Sequence, residues 1–259
     1  MNNYQFAYGD GTVTLPLEGC NILGELHGNK VEPIKDIRTA LWGSLDEPIG
    51  SEALCKRVKA GNTVALIVSD MSRFWMRQDL VVPHLVDYLT QRCGVQEADI
   101  SIVIANGTHE GGDEQELRTL VTDAVYDRVR VENHDCEATD LVYLGTTPHG
   151  TPVSINRTAA QADIVICLGA VTHHVMAGFG GGRKSILPGI SSRETIFHNH
   201  AFSLDAAQLR SNPAIGNGVL KGNPLHEDMC EAAGLVKNLF MVNLVMNTQM
   251  RLAAIFSGH

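Results

Sequence analysis

The chain has 259 residues, of which 44% are hydrophobic and 19% are charged, a composition typical of a folded protein with a substantial core. At roughly 100–200 residues per domain, this length predicts one large domain, or one domain with a small appendage. The formal charge of −9 argues against a nucleic-acid partner, which would require a clustered basic face. No apolar run approaches the ~20 residues that a membrane-spanning helix needs. The six cysteines form no CxxC pair, and with no signal-peptide pattern we expect a reducing, cytoplasmic location.

Short apolar runs broken by Gly and Pro occupy the first part of the chain. Up to about Leu54 they predict short strands and turns, with a helix near Ile34–Leu41. A different pattern starts after Asn62. Residues 63–69 (TVALIVS) form a continuous run of apolar and β-branched residues, which is typical of a strand buried on both faces.

Leucine and valine with helical spacing follow at residues 79–94. Pro83 is tolerated only in the first turn of a helix, so the helix is predicted to begin just before it, and Gly94 is suited to end it. The run ISIVIA (residues 100–105) predicts another buried strand. Residues 113–128 predict a helix whose first turn is acidic, as the helix dipole favours.

Two further strands are predicted at residues 128–133 and 162–170. After Asn223, the segment PLHEDMCEAAGL predicts a helix, and the last two apolar runs predict a strand hairpin across NTQM. Strands that alternate with helices favour a parallel sheet with helices on both faces. The expected fold class is therefore α/β, a Rossmann-like domain with a parallel-rich sheet.

Polar segments follow four of the predicted strands. They are SDMSR (69–73), NGTHE (106–110), NHD (133–135) and THHVMAGFGGGRKS (172–185). In open α/β sheets, ligands bind beyond the carboxyl ends of the strands. We therefore expect the four segments to meet at one edge of the sheet and to form a single site.

Three consecutive glycines, Gly180, Gly181 and Gly182, precede Lys184. Glycine lets a backbone approach a ligand closely, and exposed N–H groups in such a loop bind anions. The lysine is suited to a phosphate contact, a Schiff base or another covalent link. A P-loop is disfavoured, because Arg183 stands where that motif requires glycine.

Histidines are concentrated in the same part of the sequence. His109 follows a strand end after an Asn-Gly turn and is a candidate general acid–base residue. Ser191 or Ser192 is suited to cap a short helix that carries His200. His198 is two residues from His200, so at most one of the two is expected to face the site.

The segment 69–73 offers groups for anion binding. Asp70, Ser72 and Arg73 suit hydroxyl and anion contacts, and arginine grips carboxylate or phosphate in a bidentate manner. His134, in the NHD segment, is interpreted like His198 as a hydrogen-bonded structural residue.

The order of these segments resembles the lactate racemase family. DMSR, NGTH, HHVMAGFGGGRKSILPG, TIFHNH and GNPLHED follow one another between about Gly61 and the end of the chain. Each piece is weak alone, but the combination is specific. The resemblance implies a racemase or epimerase that inverts C2 of a 2-hydroxy acid, lactate being one of several such substrates.

The resemblance also implies a cofactor, the nickel-pincer nucleotide (pyridinium-3,5-bisthiocarboxylic acid mononucleotide carrying nickel). Lys184 would hold it covalently, beside the three glycines. His200 would complete the nickel coordination, which is reasonable for Ni(II) with soft donors and one imidazole. Maturation enzymes are implied as partners, and a preparation from a host without them is expected to lack the cofactor.

The same resemblance implies roles at the substrate. His109 and His174 would be the paired acid–base residues on opposite faces of the 2-hydroxy acid, and Arg73 would hold its carboxylate. Asp70 and Ser72 would order this corner and the cofactor.

The sequence departs from the family pattern next to the expected site. Phe74 and Trp75 follow Arg73, where the family usually shows a proline-containing turn. Thr172–His173 stands where the family usually has Glu-Pro. Both changes border the expected pocket and therefore bear on which substrate it accepts.

The family also has a second, carboxy-terminal domain that closes over the cofactor. We therefore interpret residues 1–259 as the amino-terminal, cofactor-binding domain, with residues 1–60 as its irregular extension. Residues 236–259 are interpreted as strands that lead to a closing domain that is absent or only begun. Full activity is not expected of this chain alone.

Two functions from other classes remain open. A zinc hydrolase built on the histidines would require an acidic ligand, for which Asp135 is the candidate. A non-catalytic relative of the same fold is the other alternative. It is disfavoured because His109, His174, Lys184 and His200 are all present.

Overall fold

The computed structural model describes residues 3–9 and 11–259. Its strands, in chain order, are β1 (Asn3–Tyr8), β2 (Gly11–Pro16), β3 (Val64–Ser69), β4 (Ile100–Ala105), β5 (Arg130–Asn133), β6 (Val142–Thr146), β7 (Pro152–Ile155), β8 (Ile164–Ala170), β9 (His173–His174), β10 (Gly178–Phe179), β11 (Leu204–Asp205), β12 (Arg210–Ser211), β13 (Leu239–Met246) and β14 (Leu252–Gly258). Its α-helices are α1 (Ile37–Asp46), α2 (Leu54–Arg57), α3 (Val82–Gln91), α4 (Glu114–Val121), α5 (Asp123–Tyr126), α6 (Arg157–Gln161), α7 (Arg183–Ile186), α8 (Arg193–Ala201) and α9 (Pro224–Gly234). Short 3₁₀ helices lie at Met71–Met76, Gln78–Leu80 and Glu97–Asp99.

The chain divides into two units, Met1–Lys30 and Val31–His259. In the described part of the first unit, β1 and β2 pair as an antiparallel hairpin in which Phe6 stands opposite Val13. Nearly all residues of both strands are exposed. The short strands predicted for the start of the chain are therefore confirmed.

A largely parallel sheet forms the centre of the second unit. Its strand order is β14-β13-β8-β3-β4-β5. The strands from β13 to β5 pair in parallel, and β14 runs antiparallel to β13 at one edge. Burial extends along all of β8 and nearly all of β3, as their continuous apolar sequences predict. The α/β class, the parallel-rich sheet and the carboxy-terminal hairpin are confirmed.

Helices cover both faces of this sheet. On one face, α1, α3 and α4 pack against strand residues that include Leu66 and Ile102. On the other face, α6 to α9 pack against residues that include Ile67 and Cys167. Leu66 and Ile67 serve opposite cores because successive strand residues point to opposite faces. Within the described part of the chain, no helix has the length and apolar character needed to cross a membrane.

Two helices show how capping residues set the bounds. The Asp36 carboxylate accepts a hydrogen bond from the Thr39 N–H at 3.0 Å, so α1 begins after Asp36 and the helix predicted at Ile34–Leu41 was placed too early. In α3, Pro83 lies in the first turn, as predicted. Gly94 follows that helix with φ of 74°, the left-handed conformation expected of a terminating glycine.

The helix predicted at residues 113–128 is interrupted. α4 ends at Val121 and α5 begins at Asp123, because Thr122 adopts φ of 77° and leaves the helical conformation. The interruption allows Val125 to be buried in the same core as Val121. Tertiary packing therefore overrides the helical spacing at this point.

Candidate active site

A cavity of about 450 Å³, called here the site cavity, opens at the carboxyl ends of β3, β4 and β8. The ends of parallel strands meet at one edge of a sheet, so the segments that follow them converge there. The 3₁₀ helix after β3, the turn after β4 and the glycine-containing segment after β8 line the cavity together with part of α8. Its charged and titratable lining residues are Asp70, Arg73, His109, His174, Lys184 and His200.

One side of the site cavity is built around a carboxylate. Asp70, Ser72, Arg73 and His109 form this side, called here the carboxylate wall. Asp70 Oδ2 lies 2.5 Å from His109 Nδ1, and Asp70 Oδ1 accepts a hydrogen bond from the Ser72 hydroxyl at 2.6 Å. Arg73 Nη1 donates to Ser72 Oγ at 3.0 Å.

The carboxylate fixes the orientation of the His109 ring. With Nδ1 directed at Asp70, the other ring nitrogen, Nε2, is available for proton exchange. The His109 side chain is 55% exposed, and that of Asp70 is 14% exposed. Because the turn after β4 is held by the Gly107 N–H, which donates to Gly189 O at 2.9 Å, His109 has a defined position at the strand end.

Another part of the site cavity is built from nitrogen bases. His174, Lys184 and His200 form this side, called here the nitrogen wall. His174 Nδ1 accepts hydrogen bonds from the N–H groups of Met176 and Ala177 at 3.1 and 3.0 Å. His174 Nε2 lies 3.1 Å from Lys184 Nζ. Among the described residues, no carboxylate forms an ion pair with any member of this wall.

Burial and neighbouring cations favour neutral forms on the nitrogen wall. Burial, followed by the charge of Lys184, lowers the pKa of His174 to about 4. Burial, followed by the charges of Arg73 and Arg183, lowers the pKa of Lys184 to about 8. Burial also lowers the pKa of His200.

His200 is oriented by its own helix. Ser192 caps α8 by accepting a hydrogen bond from the Thr195 N–H at 3.1 Å, which confirms the predicted capped helix. The His200 Nδ1–H donates to Ile196 O at 2.9 Å, so Nε2 keeps a free lone pair. His198 is exposed, as expected if only one of the two histidines faces the site.

The glycines of the segment 180–182 are required by close packing. A Cβ atom at Gly180 would lie 2.7 Å from Ala170 O, and one at Gly182 would lie 2.7 Å from the Met241 side chain. Gly181 has φ of 112°, which side-chain-bearing residues rarely adopt.

The N–H groups of this segment are largely taken by the protein. Gly180 N–H donates to Thr172 O at 2.7 Å, and Gly182 N–H donates to Asn243 Oδ1 at 2.8 Å. The predicted anion-binding loop therefore lacks these two donors, and the segment is a tightly packed support for Lys184.

Two supporting residues were missed by sequence reasoning. Asn243 lies on β13, 59 positions after Lys184 in the sequence and adjacent to the glycine segment through the bond just described. An amide inside the apolar run LFMVNLVM was the available signal. Arg183 donates to the carbonyls of Ala177 and Phe179 at 2.9 and 3.0 Å and so ties the segment to itself.

One of the four predicted segments does not line the site cavity. His134, in NHD, is only 2% exposed, and its Nε2–H donates to Ser191 O at 2.9 Å. Asn133 Oδ1 accepts from Asn106 Nδ2 at 3.1 Å behind the cavity. The expectation that all four segments meet in one site is therefore wrong for NHD, which β5 places one strand too far from the cavity.

Some of the remaining residues predicted near the site line the cavity, and one does not. Trp75 and Thr172, two of the departures from the family pattern, line the site cavity. Asp135, the acidic ligand that a zinc hydrolase would require, is exposed and accepts a hydrogen bond from the Glu137 N–H at 2.8 Å. It lies outside the lining, so the structure gives the zinc hydrolase no support from Asp135.

Another group of potential ligands lies elsewhere. Atoms of His149, Asp228 and Glu231 lie within 4.8 Å of one another. Asp228 is fully buried, and its two oxygens accept from the hydroxyls of Thr147 and Thr151 at 2.6 and 2.9 Å. These bonds make Asp228 a link between α9 and the connection from β6 to β7.

A second cavity, of about 330 Å³, borders the glycine segment as well. It shares Gly180 and Gly181 with the site cavity. Arg183, Cys230 and Asn243 contribute polar atoms to its lining.

A family model described as the lactate racemase N-terminal domain matches residues 8–211. This chain belongs to the lactate racemase family. The lactate racemase of Thermoanaerobacterium thermosaccharolyticum is 30% identical over 264 residues, which cover 100% of this chain and 60% of the relative. That of Lactiplantibacillus plantarum is 30% identical over 258 residues, covering 97% of this chain and 58% of the relative. The family member described here thus spans about 60% of the length of these relatives.

Solved structures agree with this assignment. The lactate racemase apoprotein from Thermoanaerobacterium thermosaccharolyticum superposes with a TM-score of 0.83 at 29% identity, covering 100% of this chain and 59% of that one. A crystal structure of a Thermotoga maritima protein gives a TM-score of 0.65 at 23% identity, covering 85% of this chain and 53% of that one. The second likeness concerns the fold alone.

Proposed function

We propose that this chain is the cofactor-carrying part of a racemase or epimerase that inverts C2 of a 2-hydroxy acid. The observation that carries the proposal is the composition of the site cavity. It brings a half-buried lysine, a histidine with a free Nε2 and one further histidine on each of the two walls within one space of about 450 Å³. Membership of the lactate racemase family supports the same chemistry.

The residues present fit a nickel-pincer nucleotide. The cavity volume lies in the range of roughly 300–1,000 Å³ that small-molecule and cofactor sites occupy. Lys184, whose pKa is lowered to about 8, would hold the nucleotide covalently through its amine. His200 would offer Nε2 to the metal, because its Nδ1–H is committed to Ile196 O. Neutral nitrogen together with soft sulfur is a suitable donor set for Ni(II).

When bound, the nucleotide would supply a reversible hydride acceptor, a chemistry that side chains do not provide. Gly180 and Gly181 line the cavity beside Lys184 and would allow a flat group to approach the backbone. Asn243 and Arg183 would keep this support in place through the hydrogen bonds described above.

The carboxylate wall would bind and deprotonate the substrate. Arg73, which is exposed and lines the cavity, would hold the substrate carboxylate with its guanidinium group. His109 would take the hydroxyl proton at Nε2, and Asp70 would stabilise the imidazolium that results. Ser72 would keep the Asp70 carboxylate oriented.

His174 would be the second acid–base residue, acting from the nitrogen wall. Its Nδ1 accepts the N–H groups of Met176 and Ala177, so the proton of the neutral ring lies on Nε2. Nε2 can take up a substrate proton only when the ring proton is on Nδ1 instead, which requires these two bonds to be released. A racemase needs proton exchange on both faces of its substrate. The turn from His174 to Ala177 would therefore have to open when the proton arrives on this side.

Intact mass and metal content test the proposal directly. The chain would be produced with the cofactor-maturation enzymes, and the lactate racemase of Thermoanaerobacterium thermosaccharolyticum would be loaded in parallel. We expect an adduct of several hundred daltons on the Lys184 peptide, with about one nickel per chain. Conversion of single enantiomers of 2-hydroxy acids, followed by chiral chromatography, then identifies the substrate. An unmodified chain beside a modified relative would contradict the proposal.

A further inference from the structure

We propose that the turn from His174 to Ala177 fixes the His174 tautomer, so that His174 favours the unprotonated, nucleophilic amine of Lys184 over its ammonium form before any cofactor is attached. The inference rests on the proposed function only for the electrophile that Lys184 meets. The protonation state itself is a property of the cofactor-free chain.

The argument starts from the hydrogen bonds of the imidazole ring. The N–H groups of Met176 and Ala177 both point at Nδ1 of His174, at 3.1 and 3.0 Å. An N–H group only donates, so Nδ1 must be the acceptor and carries no proton. In a neutral imidazole the single proton then lies on Nε2.

The Nε2–H determines the state of its partner. Lys184 Nζ lies 3.1 Å from His174 Nε2. An ammonium group has three N–H donors and no lone pair, so it would place a donor against a donor. A free amine has a lone pair that accepts the Nε2–H. The ammonium form would instead require the proton to move to Nδ1, where it would meet the two backbone N–H groups.

The surroundings act in the same direction. The charged or titratable groups that act on Lys184 are Arg73 from the 3₁₀ helix, Arg183 from α7, His174 from β9 and His200 from α8. Both arginines disfavour another cation. Across the residues that the structure describes, none of the carboxylates forms an ion pair that would stabilise an ammonium group on Lys184.

Burial and neighbouring positive charge act in the same direction as this geometry. Burial, followed by the two arginines, lowers the pKa of Lys184 to about 8. Burial also lowers the pKa of His174, so the ring stays neutral beside the amine. A buried lysine with a depressed pKa is the usual source of a nucleophilic amine.

A role follows for His174 that precedes catalysis of racemisation. It is a positioning residue for acylation of Lys184, because it directs the amine lone pair and opposes its protonation. In that step the lone pair leaves the Nε2–H and attacks the acyl carbon, a C–N bond forms, the bond from the acyl carbon to its leaving group breaks, and the amine proton passes to solvent. Acylation removes that lone pair from the hydrogen bond. The Nε2 atom of His174 is thereby released toward the cavity, so the covalent attachment and the acid–base role become successive states of one side chain.

Acetylation of the cofactor-free chain by an N-hydroxysuccinimide ester measures the amine. Nζ attacks the ester carbonyl carbon, a C–N bond forms, the C–O bond to N-hydroxysuccinimide breaks, and the amine proton passes to solvent. Peptide mass spectrometry gives the rate at Lys184 from about pH 6 to about pH 11.5, a range that includes the midpoint of the reference amine, Nα-acetyl-lysine, in the same tube. We expect the midpoint for Lys184 near pH 8, about 2.5 units below the reference.

The variant His174→Asn isolates the Nε2–H. Asparagine keeps a side-chain oxygen that accepts the backbone N–H groups two and three residues ahead, as in an Asx turn, and it removes the donor to Lys184. We expect the midpoint to rise by at least about half a unit, which lowers acetylation at pH 7 about threefold. His173→Asn is the matched control, because His173 is exposed and stacks on Phe179 outside this hydrogen bond.

Either of two outcomes would overturn the inference. One is a Lys184 midpoint at the reference value in the unaltered chain, and the other is an unchanged midpoint in His174→Asn with native circular dichroism. A ¹⁵N–¹H correlation spectrum of the imidazoles provides a second measurement, in which a proton on His174 Nδ1 would also overturn it. None of these experiments uses nickel or nucleotide, so their failure is distinguishable from failure to form the Lys184 adduct.

Discussion

The two walls of the site cavity contain the same kind of side chain in opposite electrostatic settings. On the carboxylate wall, His109 lies 2.5 Å from Asp70 and is half exposed. On the nitrogen wall, His174 is held by two backbone N–H groups and faces Lys184, and its pKa is lowered to about 4. The position of one carboxylate therefore distinguishes the two settings, because His109 has an acidic partner and His174 has a lysine instead.

This difference suits two separate tasks. A carboxylate beside an imidazole stabilises the imidazolium that proton transfer creates. Neutral nitrogens without a carboxylate are better suited to covalent linkage and to a soft metal. Under the proposed function, the cavity would keep proton transfer apart from cofactor attachment, although both walls are assembled at the same edge of one sheet.

Removing the amine from the nitrogen wall should have the largest effect. We expect Lys184→Arg to abolish the covalent adduct and to reduce racemisation by at least about 10³-fold, because arginine stays protonated and is not a nucleophile. Intact mass and chiral chromatography of protein co-expressed with the maturation enzymes measure both effects. Lys221→Arg, an exposed lysine, is the matched control. An adduct that persists in Lys184→Arg would assign the attachment to another residue.

Neutralising the carboxylate wall should have the next largest effect. We expect Asp70→Asn to lower racemisation about 100-fold, since an amide cannot stabilise the His109 imidazolium, with the adduct on Lys184 retained. The rate of the loaded protein as a function of pH is the measurement. Asp79→Asn serves as control, because Asp79 pairs with Arg77 at 2.9 Å outside the cavity lining. Equal rates for both variants would remove Asp70 from the acid–base machinery.

Adding a side chain at Gly180, in the glycine segment that supports the nitrogen wall, should lower the stability of the fold. In Gly180→Ala the new Cβ would lie 2.7 Å from Ala170 O, a backbone atom that cannot turn away. We expect the free energy of unfolding to fall by about 1–3 kcal/mol, measured by urea denaturation. Gly234→Ala is the comparison, because nothing lies within 4 Å of the added atom. A stable Gly180→Ala would show that the segment can shift freely.

The smallest effect concerns pH. The folded-state pKa of His174 is below its unfolded value, so the unfolded chain binds more protons and stability falls as pH drops from about 6.5 toward 4. Buried His134, whose pKa is also lowered by burial, acts in the same direction. We expect His174→Asn to reduce proton uptake on acid unfolding by up to about one per chain. Unfolding titrations between pH 4 and 7, with His173→Asn alongside, measure this slope, and identical slopes would contradict the expectation.

The sheet and the convergence of its loops could be predicted from sequence because both follow from local patterns. Continuous apolar runs identify β3, β4 and β8, and the polar residues just after them must lie at the carboxyl edge. Asp70, His109 and Lys184 were placed in one cavity by this rule alone. The family resemblance then supplied their expected roles.

Contacts between distant parts of the chain were not predictable in the same way. The bond between Asn243 and Gly182 joins β13 to a loop 61 positions earlier, and nothing local marks it except one amide in an apolar run. The proposed tautomer of His174 depends on the exact course of the four-residue turn from His174 to Ala177. His134 shows where the strand-end rule gives a wrong prediction. Its segment also follows a strand, but β5 lies at the edge of the sheet, and the His134 side chain is buried outside the site cavity.

The glycine segment has one more consequence. Gly180 and Gly181 line both the site cavity and the second cavity, so a single stretch of backbone is the partition between two compartments. Neither compartment can be widened at that point without narrowing the other. A small molecule bound in the second compartment would therefore contact the same glycines that precede Lys184.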